Sequence, residues 1–110
     1  MPIVSEKNVS DALTYLAIDP HPVALARKYV TDSENKCKET FASAFLVASG
    51  SVDARRATAE INADYMAAKK EAADDILELE RHRSRIRAAE MLIETWRTEN
   101  ANARAAERVR

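Results

Sequence analysis

The sequence predicts an all-α fold: an antiparallel helical hairpin with a very long second helix, associating as a coiled-coil or bundle oligomer. Three observations predict it. Its 110 residues include one glycine and three prolines, too few for the turns of a sandwich, a barrel or a βαβ unit. Charged residues make up 32% and aromatics 5%, the balance of amphipathic helices. Much of the apolar content is alanine, which buries little area, so helix association carries more of the stability than a compact monomeric core.

Residues 1–21 read as an N-terminal arm with a short amphipathic helix, in which Val9, Leu13 and Leu16 recur at helical spacing and Asn8 or Ser10 is available as cap. "DPHP" at 19–22 breaks the chain, with Asp19 as a candidate N-cap and proline tolerated in a first helical turn. The hairpin then occupies 22–110. Its first helix runs over about 22–48, with Val23, Ala26, Val30, Cys37, Phe41, Ala44 and Phe45 on or near one face. "SGS" at 49–51 is the internal stop: Gly50 admits the left-handed conformation and Ser51 can cap the second helix. So short a connection favours antiparallel neighbours.

From Val52 to about residue 106 no proline or glycine intervenes, so one helix of about 85 Å is expected. Its seam has heptad positions at Thr58, Tyr65, Ala72, Leu79, Ile86, Ile93 and Asn100, with partners at Ile61, Ala68, Asp75, His82, Ala89, Trp96 and Ala103. Asp75 and His82 are flaws in that zipper. The first helix is too short to cover the seam beyond about Ile76, which needs another chain or a fold-back. Tyr65, Leu79, Ile86, Ala89, Ile93 and Trp96 are the candidate oligomer interface, and "NANARAAERVR" at the end is expected to fray.

Charge is uneven. The net value is −1, but residues 81–110 hold eight Arg and four Glu. Arg81, Arg83, Arg85 and Arg87 alternate through "RHRSRIR", flanking the seam in two stripes with His82 and Ile86 between them. That is the layout of charged walls beside a helix interface, and also of a phosphate track: arginine suits bidentate phosphate recognition, and like charges four apart each cost about 0.2–0.5 kcal/mol. Arg97 joins these four as a candidate nucleic-acid contact, with Lys69 and Lys70 secondary.

Other chemistries are poorly served. His21 and His82 are isolated, no CxxC, HExxH or calcium-loop pattern occurs, and no Ser, Cys or His lies in a recognisable nucleophile context. No catalytic residue, metal ligand or cofactor is expected, and the chain does not read as an enzyme. Cys37 falls on the apolar stripe, where a buried structural thiol in a reducing compartment is expected. "MPIVSEKNVSDALTYLA" lacks the apolar core of a signal peptide and no stretch is long enough to span a membrane, so a cytoplasmic location is expected.

The segment "GSVDARRATAEINADYMAAKKEAADDILELERHRSRIRAAEMLIETWR", residues 50–97, resembles small phage recombination mediators (UvsY-like). The matching residues are Ala59, Glu60, Asp64, Tyr65, Ala68, Lys69 and Lys70, then Arg85, Ala88, Leu92 and Arg97. The resemblance covers under half the chain, and arginine replaces the lysine of the family's C-terminal half. It implies a homo-oligomer in the host-cell cytoplasm that binds single-stranded DNA non-specifically. It also implies help in loading a recombinase onto DNA coated by single-strand-binding protein. The alternative is a structural coiled-coil scaffold or protein-interaction adaptor with no nucleic-acid binding.

Overall fold

The computed structural model describes residues 3–109; residues 1 and 2, counted above in the arm, and 110, counted in the hairpin, lie outside them. Its regular elements are four helices: α1 (Glu6–Leu16), α2 (Pro22–Val47), α3 (Val52–Glu60) and α4 (Ala63–Val109). Among the described residues there is no strand, and the fold is all-α. Two compact units divide the chain. One gathers the residues up to Pro22 and from His82 onward, the other runs from Val23 to Arg81.

In the second unit α2 and α4 pair as an antiparallel hairpin. Three links fix the direction: Ser33 to Asp75, Lys36 to Glu71 and Phe41 to Tyr65, with α4 numbers falling as α2 numbers rise. The buried α2 residues Val23, Ala26, Ser33 and Ala44 form one stripe, with Val30, Cys37, Phe41 and Phe45 half-buried along it. On α4 the seam is covered at Ala68, Ala72 and Leu79. Asp75 is no flaw: its carboxylate accepts a hydrogen bond from the buried Ser33 hydroxyl, which gives the seam a matched polar layer. α2 ends at Val47, Gly50 adopts φ +107°, and the Ser51 hydroxyl accepts the Ala54 N–H at 3.1 Å to start α3.

One expectation is corrected here. The helix beginning at Val52 does not run on unbroken, because α3 stops at Glu60 and α4 starts at Ala63. Asn62 is the cause: its Oδ1 accepts the N–H groups of Asp64 at 2.9 Å and Tyr65 at 3.1 Å, the bonding of an N-cap. The seam loses register across this break. Ala59 is fully buried, whereas the expected seam residue Ile61 is 75% exposed.

In the first unit α1 supplies the fold-back. The Ser5 hydroxyl caps it by accepting the Asn8 N–H at 3.1 Å, in place of Asn8 or Ser10. Its buried face is Val9, Ala12 and Tyr15, while Leu13 points outward at 53% exposure. Ala12, Tyr15 and Ala89 form a core against which Leu16, Ile86, Leu92 and Ile93 pack. At the other end of α1 the Glu99 carboxylate accepts the N–H groups of Ile3 at 2.8 Å and Val4 at 3.4 Å. Ile86, Ala89 and Ile93, expected at an interface with another chain, are thus covered by the chain's own first helix. α1 and this seam are far apart in sequence, but loop-closure cost grows only slowly with loop length, so a partner on the same chain remains within reach. α4 stays helical through Val109, so the tail expected to fray is part of it.

Candidate nucleic-acid interface

The seven candidate phosphate contacts divide between the units. In the unit of α2, Arg81 is exposed and its Nη1 lies 3.3 Å from Glu78 one turn earlier. Lys69 places its ammonium 5.5 Å from the centroid of the Tyr65 ring, and Lys70 is exposed. In the unit of α1, Arg83 is half-buried. Arg85 lays its guanidinium over the Tyr15 ring at 3.9 Å, a cation–π contact of about 0.5–2 kcal/mol. Arg87 donates to the Ser84 hydroxyl at 3.1 Å, and Arg97 lies 3.8 Å from Glu94.

Paired and unpaired cations are therefore mixed. Exposed Arg–Glu pairs contribute little to stability, about 0–1 kcal/mol, but each cancels a charge that a phosphate would otherwise meet. Arg81 and Arg97 are of this kind. Arg85 and Arg87 have no carboxylate partner among the described residues. Folding also dilutes the basic segment. The sequence up to residue 22 and from 82 onward holds eight Lys or Arg against seven Asp or Glu, a net +1. The excess of arginine after residue 80 is thus not a free positive field, since α1 brings Glu6 and Asp11 to the same unit.

Of the remaining interface candidates, Leu79 is buried on the seam and Trp96 is half-buried. Trp96 lines an open groove of about 420 Å³ with Arg97, Asn100, Ala103, Arg104 and Glu107. Tyr65 does something the sequence did not announce. Its ring meets Phe41 edge-on at 5.2 Å and 67°, and Phe41 stacks near-parallel on Phe45 at 6.4 Å and 19°. Cations close both ends of this row: Lys69 over Tyr65, and Arg55 over Phe45 at 4.4 Å, its Nε–H donating to the Phe45 carbonyl at 3.2 Å. Phe41 and Phe45 are one turn apart on α2, as are Tyr65 and Lys69 on α4, so each half of the row was legible. Only the antiparallel register joins them.

Around the polar layer, Tyr29, Asp32, Ser33, Lys36, Glu71 and Asp75 line an open cleft of about 450 Å³. The Glu71 carboxylate, by hydrogen bond and then by charge, raises the Lys36 ammonium above its usual pKa. Among the described residues no three His, Cys, Asp or Glu side chains are grouped to hold a metal ion, and no helix is long and apolar enough to cross a membrane. Cys37 is a free thiol, half-buried beside Phe41. In comparisons with known proteins, no family model, no curated protein and no solved structure matches the chain.

Proposed function

We propose that this chain is a non-enzymatic accessory protein of DNA recombination. It holds single-stranded DNA by its phosphates, without reading bases, and assists recombinase loading in the manner that the mediator resemblance implies. The observation that supports phosphate binding is the pair Arg85 and Arg87 on α4, exposed and free of carboxylate partners, with Arg85 held in place by the Tyr15 ring. A guanidinium already ordered on an aromatic face loses less freedom on meeting a phosphate than a solvated one. A cytoplasmic homo-oligomer, in which each such pair is repeated, belongs to the same reading.

The test is fluorescence anisotropy of a labelled 40-nucleotide single strand at several salt concentrations. Binding should weaken as salt rises, and Arg85→Ala with Arg87→Ala should lower the log–log salt slope by about 1.4, two contacts at roughly 0.7 each. Absence of binding at micromolar protein in low salt would end this reading.

A second reading, a coiled-coil scaffold or protein-interaction adaptor that ignores nucleic acid, is favoured by large apolar side chains left in solvent. Leu46 is 73% exposed, Val47 84% and Met91 71%. In that case sedimentation would show an oligomer or a captured protein partner while the anisotropy stays flat.

A further inference from the structure

We infer that the aromatic row on the α2–α4 hairpin is a second nucleic-acid site, one that takes the bases of a single strand on Phe41 and Tyr65 and its phosphates on Lys38, Lys69 and Arg55. This site shares its ligand class with the preceding reading but none of the residues that carry it, Arg85 and Arg87.

The geometry has three parts. Phe45, Phe41 and Tyr65 are consecutive ring contacts, with centroids 6.4 and 5.2 Å apart, and all three are only half-buried. Fully internal rings would close a core; these keep part of their surface open. An open groove of about 350 Å³ lies against the row, lined by Cys37, Lys38, Phe41 and Tyr65 with no carboxylate among them. Lastly, three cations beside the row stand outside ion pairs. Lys38, Arg55 and Lys69 have no carboxylate partner among the described residues, within a unit whose sequence holds nine Lys or Arg and eleven Asp or Glu.

Half-open aromatics bordered by unpaired cations are the recognition chemistry of single strands. Every base has a π-face to stack, and a phosphate accompanies each base. A protein helix without carboxylates, seated in the same groove, would cover the rings but would leave Lys38 at its wall desolvated without a partner, which is costly. A duplex hides its base faces and would gain only from the cations. The occupant that uses both halves is a single-stranded nucleic acid.

The 110-residue chain carries one cysteine, Cys37, at the wall of this groove, so alkylation of that thiol reports occupancy. A dT30 strand should slow its reaction with N-ethylmaleimide, and an abasic deoxyribose-phosphate strand of equal length should slow it much less. By anisotropy, Phe41→Leu should weaken dT30 binding by about 5- to 150-fold, the loss of one stacked base. It should leave the abasic strand almost unchanged. Lys38→Gln, on an exposed side chain that the fold does not need, should weaken both strands alike and keep the helical circular dichroism intact.

Unchanged dT30 affinity in both variants, with Cys37 equally reactive in its presence, overturns the site even if Arg85→Ala with Arg87→Ala still abolishes binding. A change of oligomeric state in Lys38→Gln or Phe41→Leu, without a change in DNA affinity, overturns it in favour of an interface between copies. Failure of the wild type to bind any strand removes this site and the preceding reading together.

Discussion

Ser33→Ala should cost far more than a surface hydroxyl is worth. Ser33 is 5% exposed on α2 and donates to the Asp75 carboxylate on α4, in the middle of a seam otherwise made of Ala68, Ala72 and Leu79. A hydrogen bond to a charged acceptor contributes about 1.5–3 kcal/mol. Asp75 is only half-buried, so water compensates part of the loss, and about 1–2 kcal/mol is expected. With a urea slope of about 1.5 kcal/mol/M, the midpoint should fall by roughly 1 M. Asp75→Leu in the same background removes the stranded carboxylate and completes the heptad, and replacing both polar partners is neutral or stabilising. The double variant should therefore recover or exceed wild-type stability, with a coupling of about 1–2 kcal/mol between the two positions. Urea titrations of the four proteins, read by helical circular dichroism, give the cycle. A single substitution within about 0.3 kcal/mol of wild type, together with an additive double variant, would refute the polar layer as a structural pair.

The packing sets two further outcomes. Tyr15→Ala empties the site that anchors α1, a truncation that costs about 3–5 kcal/mol for a buried aromatic, and an 11-residue helix does not hold alone; amide exchange over Glu6–Leu16 should lose its protection while α2 keeps its own. Retained protection of α1 would mean that Glu99 and the aliphatic contacts suffice. The Lys36–Glu71 pair predicts an alkaline effect, because the folded pKa of Lys36 is raised above the usual 10.5. That contribution is fully present below about pH 10.5 and is lost as pH rises through the raised value, so wild type and Glu71→Gln should differ in urea midpoint at about pH 9 and converge at higher pH. The difference is expected to be small because both side chains are more than half exposed, and equal midpoints at the lower pH would deny the pair any role.

The heptad seam was legible because burial on a helix repeats with the helix. From Tyr65 to Asn100, each residue assigned to the seam is buried or half-buried in the folded chain. Its partner was not legible. Periodicity says that a face must be covered without saying by what, and a second chain and α1 offer the same chemistry. Tethering decides: α1 belongs to the molecule it covers, with Tyr15 and Ala12 placed on Ala89 and Glu99 holding its leading end across a separation of 96 residues. The break at Asn62 was missed for a related reason. Asparagine is not a helix breaker by composition, and acts as one only where its side chain captures the next N–H groups, as it does from Asp64 and Tyr65.

The helical class, the turn at Gly50 and Ser51, and the apolar faces of α2 and α4 belong to the sequence, because each rests on local sterics or on a 3.6-residue repeat. Which faces meet is a matter of tertiary packing. That packing turned Asp75 from a flaw into the partner of Ser33, gave Arg85 an aromatic seat on Tyr15, and joined Phe41 of α2 to Tyr65 of α4 in a row that neither helix contains. Such pairings depend on the register between elements distant in sequence, which no local pattern encodes.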